Sequence, residues 1–373
     1  MTGEEPRRIL IIKPSALGDI VLALPALSAL RKSFSDARIT WFVRPEFASL
    51  LEGHPYISDI ILFDRRRLSK WWYSPDSFKS LRLLIKQLKA GEFDLVFDFQ
   101  GLFRTGYFSW VTGCKRRFGN AQGRELAHLF YTDKISQDAS SIHLVDYYLK
   151  MVAAAGAKAP STLRYEGQAG EAEFKLPENA GATDLKVEFV LPRVKEAADS
   201  IKRILAQNNV PIEKYAVFVP GSAHKDKCWP RGRFAELAER IAERFGLAIV
   251  ACGSAGEVNI VKEMKMLSRT PIVDLAGKTT LKELVELLRG ARLVVSNDTG
   301  PGHIAAALGV PIVMIFGPTN PIRIMPYGRP ECMAAREPYG RGTGIKSKDP
   351  RYSISEITVD EVFEKVFKQT KQR

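Results

Sequence analysis

The stretch VVSNDTGPGHIAAALGVPIVMIFGPTNP, Val294–Pro321, reads as strand, turn, helix and strand in succession. An apolar run ends at Ser296–Asn297, Asp298-Thr299-Gly300 leads into a short helix over Gly302–Leu308, and Ile312–Phe316 is a second apolar run. Short apolar strands alternating with helices predict an open parallel sheet. Ligands of such sheets sit beyond the C-terminal ends of the strands. Asp298, Thr299 and Gly300 therefore fall at a helix N-terminus suited to phosphate, where backbone N–H groups meet the charge and small residues let it approach. His303, one turn into the helix, is either a ligand donor or a partner of its own loop.

The same alternation continues upstream. Tyr215–Val219, Leu247–Cys252, Ile272–Leu275 and Leu293–Ser296 read as strands, with helices over Gly232–Phe245, Val258–Leu267 and Leu281–Arg289. An earlier series has strands at Arg8–Lys13, Ile39–Val43, Ile57–Phe63 and Asp94–Phe99, and helices at about Ile20–Phe34 and Ser77–Lys89. The weakly patterned Tyr165–Pro192 separates the two series. The expectation is an α/β protein with two doubly wound, Rossmann-like domains in series and the ligand between them. Residues 1–180 would form the first domain, 181–350 the second, and 351–373 a C-terminal helix.

Composition narrows the class. The 373 residues are 45% hydrophobic and 26% charged, as in globular proteins, and 28 Gly with 21 Pro exclude collagen-like and low-complexity chains. No apolar run reaches the ~18 residues of a membrane span. The N-terminal MTGEEPRRILIIK has too short an apolar core for a signal peptide, so a cytoplasmic location is expected. Cys114, Cys228, Cys252 and Cys332 are dispersed without CxxC spacing, which argues for free thiols over a zinc site or disulfide framework. The formal charge of +13 points to an anionic partner: nucleic acid, an acidic membrane surface or a phosphorylated substrate.

The remaining strand-end turns supply the candidate chemistry. KPSALGDI (Lys13–Ile20) is not GxGxxG; its Asp19 is either an N-cap or a catalytic carboxylate. DFQGLFRTG (Asp98–Gly106) puts Gln100 and Arg104 on the same rim, to bind a polar substrate or to cap and solvate a helix. DRRRLSKWWY (Asp64–Tyr73) joins Arg65, Arg66, Arg67 and Lys70 to three aromatics. The helix after it has an apolar stripe (Leu81, Leu84, Ile85, Leu88) and a basic face (Lys79, Arg82, Lys86, Lys89). That segment is either a surface helix packed on its domain or a docking face for an anionic membrane. Basic plus aromatic residues also suit single-stranded nucleic acid, but no recognised module accompanies them.

In PGSAHKDKCWP (Pro220–Pro230), Lys225 and Lys227 form either a phosphate clamp or a solvated loop. GSAGE (Gly253–Glu257) ends another strand, and Glu257 has the character of a ribose-binding acid. AGKTT (Ala276–Thr280) is not a Walker A loop, because Ile272 occupies the position of its first glycine.

Together KPSALGD, RRRLSKWW, DFQGLFRTG, GRELAHLFY (Gly123–Tyr131), DKCWP and NDTGPGH, in this order from about Ile9 to Pro330, resemble the lipopolysaccharide heptosyltransferases. The first, second and fifth look more like heptosyltransferase I than II. The resemblance implies a GT-B fold, two Rossmann-like domains facing a central cleft, and inverting transfer of L-glycero-D-manno-heptose from ADP-heptose to Kdo of Kdo-lipid A in inner-core synthesis. It implies Asp19 as base and Lys227 on the donor phosphates. Ser222 would face the diphosphate and Glu257 the adenosine ribose, and Asp298, Thr299, Gly300 and His303 would form the donor motif. Arg65, Arg66, Lys70, Gln100, Arg104 and Arg124 would face the anionic acceptor.

No cofactor and no obligatory metal are implied, and the location would be peripheral, on the cytoplasmic face of the inner membrane. One departure is that the family's Thr-Thr pair is here Ser222-Ala223. Three competing readings are heptosyltransferase II or a transferase with another nucleotide sugar, a nucleic-acid-binding protein, and an NAD(P)-dependent oxidoreductase. The nucleic-acid reading leaves the DTGPGH turn idle, and the oxidoreductase reading lacks its glycine fingerprint.

Overall fold

The computed structural model describes residues 5–138, 141–160, 164–166, 173–175, 186–342 and 344–371. The chain forms two units: Met1–Tyr165 with Phe174–Pro192, and Glu166–Glu173 with Arg193–Arg373. The expected boundary at 180/181, and most of the weakly patterned stretch, lie outside the described residues.

Unit 1 is built on β1 (Arg8–Ile12), β2 (Arg38–Val43), β3 (Asp59–Leu62), β4 (Leu95–Asp98), β5 (Arg117–Asn120) and β6 (Asp133–Ile135). All pairings are parallel, in the order β3-β2-β1-β4-β5-β6. Its helices are α1 (Leu17–Leu22), α2 (Leu24–Ser33), α3 (Pro45–Leu51), α4 (Arg65–Leu68), α5 (Pro75–Ala90), α6 (Phe103–Val111) and α7 (Leu144–Ala154). A two-stranded ribbon pairs β7 (Arg164–Glu166) with β8 (Glu173–Lys175).

Unit 2 repeats the plan. β9 (Tyr215–Val219), β10 (Ala248–Ala251), β11 (Ile272–Asp274), β12 (Leu293–Asn297), β13 (Ile312–Phe316) and β14 (Met333–Ala335) run parallel in the order β11-β10-β9-β12-β13-β14. The helices are α8 (Lys195–Gln207), α9 (Arg231–Phe245), α10 (Val258–Leu267), α11 (Leu281–Arg289), α12 (Gly300–Ala307) and α13 (Val359–Lys371).

The central strands are buried along almost their whole length, as sheets covered on both faces require: β9 and β13 have every residue buried and β1 all but Arg8. In unit 2 the core joins Phe218, Trp229 and Phe234 to Val359, Val362 and Val366 of α13, and the Trp229 indole N–H donates to the Ile357 carbonyl at 2.8 Å.

Two expectations need correction. The helix expected over Ile20–Phe34 is two helices broken at Ala23, with Pro25 in the first turn of the second, where its missing N–H is harmless. The helix expected from Ser77 starts at Pro75, capped by the Ser74 hydroxyl, which accepts from the Ser77 N–H at 3.3 Å.

Strand order positions the sites. In each sheet the chain winds outward from its first strand, then returns to add its fourth on the other side. The crevice between those two strands is the switch point at which α/β sheets bind ligands. It lies between β1 and β4 in unit 1, and between β9 and β12 in unit 2.

Candidate active site

The unit 2 switch point gathers the expected donor-side residues. Asp298 follows β12, Thr299 is the N-cap of α12, and Gly300 is the first residue of that helix. The Asp298 carboxylate is buried between a lysine and a histidine: its Oδ2 lies 2.6 Å from Lys227 Nζ and its Oδ1 3.4 Å from His303 Nε2. Burial raises its pKa, but the His303 hydrogen bond and the Lys227 charge outweigh that and hold it at about 2. Among the described residues, His303 Nδ1 is buried without a hydrogen-bond partner. Lys227 uses one of an ammonium's three donors on Asp298 and remains one-fifth exposed, free to meet an anion.

The adjoining turns hold these groups in place. The Asn297 side chain, fully buried, donates to the Pro220 carbonyl at 2.8 Å and accepts from the Trp229 N–H at 3.1 Å, tying the Lys227 loop to β12. Ser222, partly buried beside that loop, accepts from the His224 N–H at 3.3 Å. Glu257 follows β10 and accepts from the Ser254 N–H at 2.7 Å. It packs on Gly221, where a Cβ would fall 2.4 Å from the Glu257 carboxyl and so displace that side chain.

The segment after Pro330, which carries no signal in the sequence, braces the same region. Lys346 pairs with Asp226 beside Lys227. Arg341 stacks over Tyr352 at 3.9 Å and donates to the Gly317 and Thr319 carbonyls at 2.8 and 3.0 Å. Thr319 Oγ1 and Asn320 Oδ1, in the turn after β13, are buried without partners among the described residues. The strand-end rule singles out that turn, yet neither residue was among the expected site residues.

Because Asp298 has a folded-state pKa below its ordinary 3.8, it contributes stability that is present above about pH 4 and is lost as the pH falls toward 2. Asp298→Asn is expected to lower the unfolding free energy by about 2 kcal/mol at pH 7. Urea titrations of both proteins from pH 7 down to pH 3 check this, and the gap closes as the pH falls below 4. A gap independent of pH contradicts the ion-pair account.

In unit 1, Asp19 is the third residue of α1 and therefore not its N-cap, a position held by Ala16; the cap reading is corrected. Its carboxylate reaches back to the Ala16 N–H at 3.4 Å and faces Lys13 Nζ at 3.2 Å, and it is about one-third exposed. Across the switch point, Asp98 ends β4 fully buried. It accepts from the Gln100 and Gly101 N–H groups at 2.9 and 3.1 Å and from the Tyr131 hydroxyl at 2.6 Å. Burial pushes its pKa up despite these bonds. Asp98 thus fixes the turn that presents Gln100, whose Oε1 is buried and without a partner among the described residues. Gly101 takes φ +67°, and its carbonyl accepts from the Arg124 N–H at 3.1 Å, joining two expected acceptor segments.

Arg104 is exposed, and besides its partial burial the nearby Arg65 charge lowers its pKa, so these two guanidiniums share one face. Arg66 lies near Glu46, and Lys70 is exposed in the turn between α4 and α5. The apolar stripe of α5 is packed inward at Leu84 and Leu88. Trp71, Trp72, Tyr73, Phe78 and Leu83 stay largely exposed beside the basic residues.

Among the described residues, no helix is long and apolar enough to cross a membrane, and no three His, Cys, Asp or Glu side chains are grouped to hold a metal ion. Burial pushes the thiols of Cys252 and Cys332 up to about 12, so neither is a reactive thiolate.

Comparison with known proteins identifies the family. The profile of glycosyltransferase family 9 (heptosyltransferase) matches residues 81–339. Lipopolysaccharide heptosyltransferase 1 of Pseudomonas aeruginosa is 30% identical over 329 residues, covering 86% of this chain and 82% of that protein. The Escherichia coli heptosyltransferase WaaC solved with ADP superposes with a TM-score of 0.71 at 25% identity, covering 97% of this chain and 99% of that one. E. coli ADP-heptose lipopolysaccharide heptosyltransferase II gives the same TM-score at 21% identity, over 98% and 99%. The fold is GT-B, and the chain belongs to glycosyltransferase family 9, as a heptosyltransferase of lipopolysaccharide core synthesis.

Proposed function

We propose that the protein transfers L-glycero-D-manno-heptose from ADP-heptose to Kdo of Kdo-lipid A, with inversion at the anomeric carbon. The observation that carries the reading is the Lys227–Asp298–His303 cluster at the N-terminus of α12. It offers a fixed ammonium and oriented N–H groups to a diphosphate. In this reading unit 2 carries the donor: Lys227, Ser222 and the N–H groups near Thr299 and Gly300 bind the diphosphate, and Glu257 accepts from the ribose hydroxyls. Asp298 and His303 orient Lys227 and the loop.

Unit 1 supplies the base and the acceptor face. Asp19 takes the proton of the acceptor hydroxyl as that oxygen bonds to the anomeric carbon. The bond to the diphosphate oxygen breaks on the opposite side, and ADP leaves with the pair of electrons. A carboxylate is far less basic than a sugar alkoxide, with an ordinary pKa near ~4, so proton transfer is concerted with bond formation. The leaving charge falls on Lys227 and the N–H groups, and the reading assigns no metal or cofactor to the step. Arg65, Arg66, Lys70, Gln100, Arg104 and Arg124 meet the carboxylates and phosphates of the acceptor. The exposed Trp71, Trp72 and Tyr73 among arginines and lysines support docking on the anionic inner face of the inner membrane.

A transfer assay tests this. ADP-heptose, ADP-glucose and UDP-glucose are each offered with anionic vesicles carrying either Kdo-lipid A or its heptosylated product, at low and high salt. Transfer is expected only from ADP-heptose and only to Kdo-lipid A, slowing as salt screens charges beyond ~8–10 Å. Transfer to the heptosylated lipid instead would reassign the acceptor to that of a type II enzyme, and transfer from UDP-glucose would overturn the donor.

A further inference from the structure

Lys13 follows β1 at the unit 1 switch point and is 3% exposed. An ammonium is costly to remove from water, and an apolar side chain of the same length would fill the space without that cost. Its own hydrogen bond, to the Phe99 carbonyl at 3.3 Å, does not explain its presence, because the Tyr148 hydroxyl donates to that same carbonyl at 3.3 Å. What only the charge supplies is the contact with Asp19, 3.2 Å away. The pair is lopsided: the cation is sealed in and the anion is about one-third open to solvent.

Both contacts of Asp19 fall on the same oxygen. Oδ2 faces Lys13 Nζ and the Ala16 N–H, and Oδ1 takes no partner among the described residues. The titratable groups facing Lys13 are Asp19 from α1 and Tyr148 from α7, whose ring centroid lies 5.8 Å from Nζ. Asp98 on β4 is turned to Tyr131 and the Gln100–Gly101 turn, and the Tyr147 hydroxyl is spent on the Ile135 carbonyl. On β2, the Trp41 indole donates to the Lys13 carbonyl, away from the ammonium.

We infer that Lys13 is a positioning residue that, with the Ala16 N–H, holds Asp19 by Oδ2 and leaves Oδ1 as the oxygen that takes the acceptor proton. The inference rests on Asp19 being the base. The buried cation fixes the direction from which the carboxylate accepts, and a misaligned approach of base to hydroxyl is costly in rate. A lysine serves here because its point charge needs no fork of partners, unlike a guanidinium.

The test is Lys13→Met, assayed with ADP-heptose and Kdo-lipid A alone and in an Asp19→Asn background. The expected result is a kcat roughly 10- to 100-fold lower. The KM for ADP-heptose stays as in the wild type. In the Asp19→Asn background the same substitution costs nothing further, because the two residues act as one unit. Lys13→Gln, which keeps an N–H for the Phe99 carbonyl and loses only the charge, is the second variant should the methionine protein not fold. A near-wild-type kcat in the folded variant, or an equal loss in the Asp19→Asn background, overturns the inference. Asp19→Asn at the wild-type rate instead defeats the base assignment itself, so the two failures are told apart.

Discussion

Asp19→Asn is expected to lower kcat by roughly 10²–10⁴ with donor affinity unchanged. Asparagine keeps the shape of the side chain and an oxygen for the Ala16 N–H, so the substitution removes charge and basicity with little else. Donor affinity is insulated because Ser222, Lys227, Glu257 and Asp298 all belong to unit 2. A second effect follows from Lys13, which loses its counter-ion while still buried. The expected destabilisation is about 1–3 kcal/mol, since breaking one side of such a pair strands the other. The kinetic comparison therefore needs the folded fraction at assay temperature, from circular dichroism. A folded Asp19→Asn protein within a few-fold of the wild-type rate would remove Asp19 from the chemistry.

Most of the sheet framework was legible because its central strands are buried on both faces and so read as unbroken apolar runs, as in RILII and IVMIF. The strands Arg117–Asn120 and Asp133–Ile135 were not, because their sequences RFGN and DKI carry too few apolar residues to mark a strand. Gly119 is covered by the Tyr131 ring, which is no property of that strand itself. The same limit hid two polar residues of the site. Lys13 reads as a solvated strand end, and only Tyr148, brought over by α7, shows that it is enclosed. Asp98 reads as one acid among many, and its buried partner, the Tyr131 hydroxyl, lies 33 residues on. By contrast the DTGPGH turn was legible, since a strand end, two glycines and a histidine one helical turn on are local features. What local sequence did not disclose was the sense of Asp298: its carboxylate turns to Lys227 and His303 and orders those two side chains, so it is not itself a surface for phosphate.

That arrangement makes Lys227→Met the sharpest test of the donor site. Losing one charge-assisted hydrogen bond to the diphosphate costs about 1.5–3 kcal/mol, so the Kd for ADP-heptose should rise roughly 10- to 150-fold. Turnover should fall further, by roughly 10²–10³, because the charge on the diphosphate grows as its bond to the sugar breaks and a fixed cation is worth more at that point than in the ground state. The complication is Asp298, left with only its His303 contact in a buried setting, where burial alone would raise its pKa. Some of the loss in the single variant will therefore be structural. Combining Lys227→Met with Asp298→Asn separates the two, because it removes the stranded anion along with its partner. If the lysine binds phosphate, the double variant regains stability but not donor affinity, as measured by calorimetric titration with ADP-heptose and ADP. If both return together, Lys227 is no more than the counter-ion of Asp298, and the diphosphate is bound by the N–H groups of α12 alone.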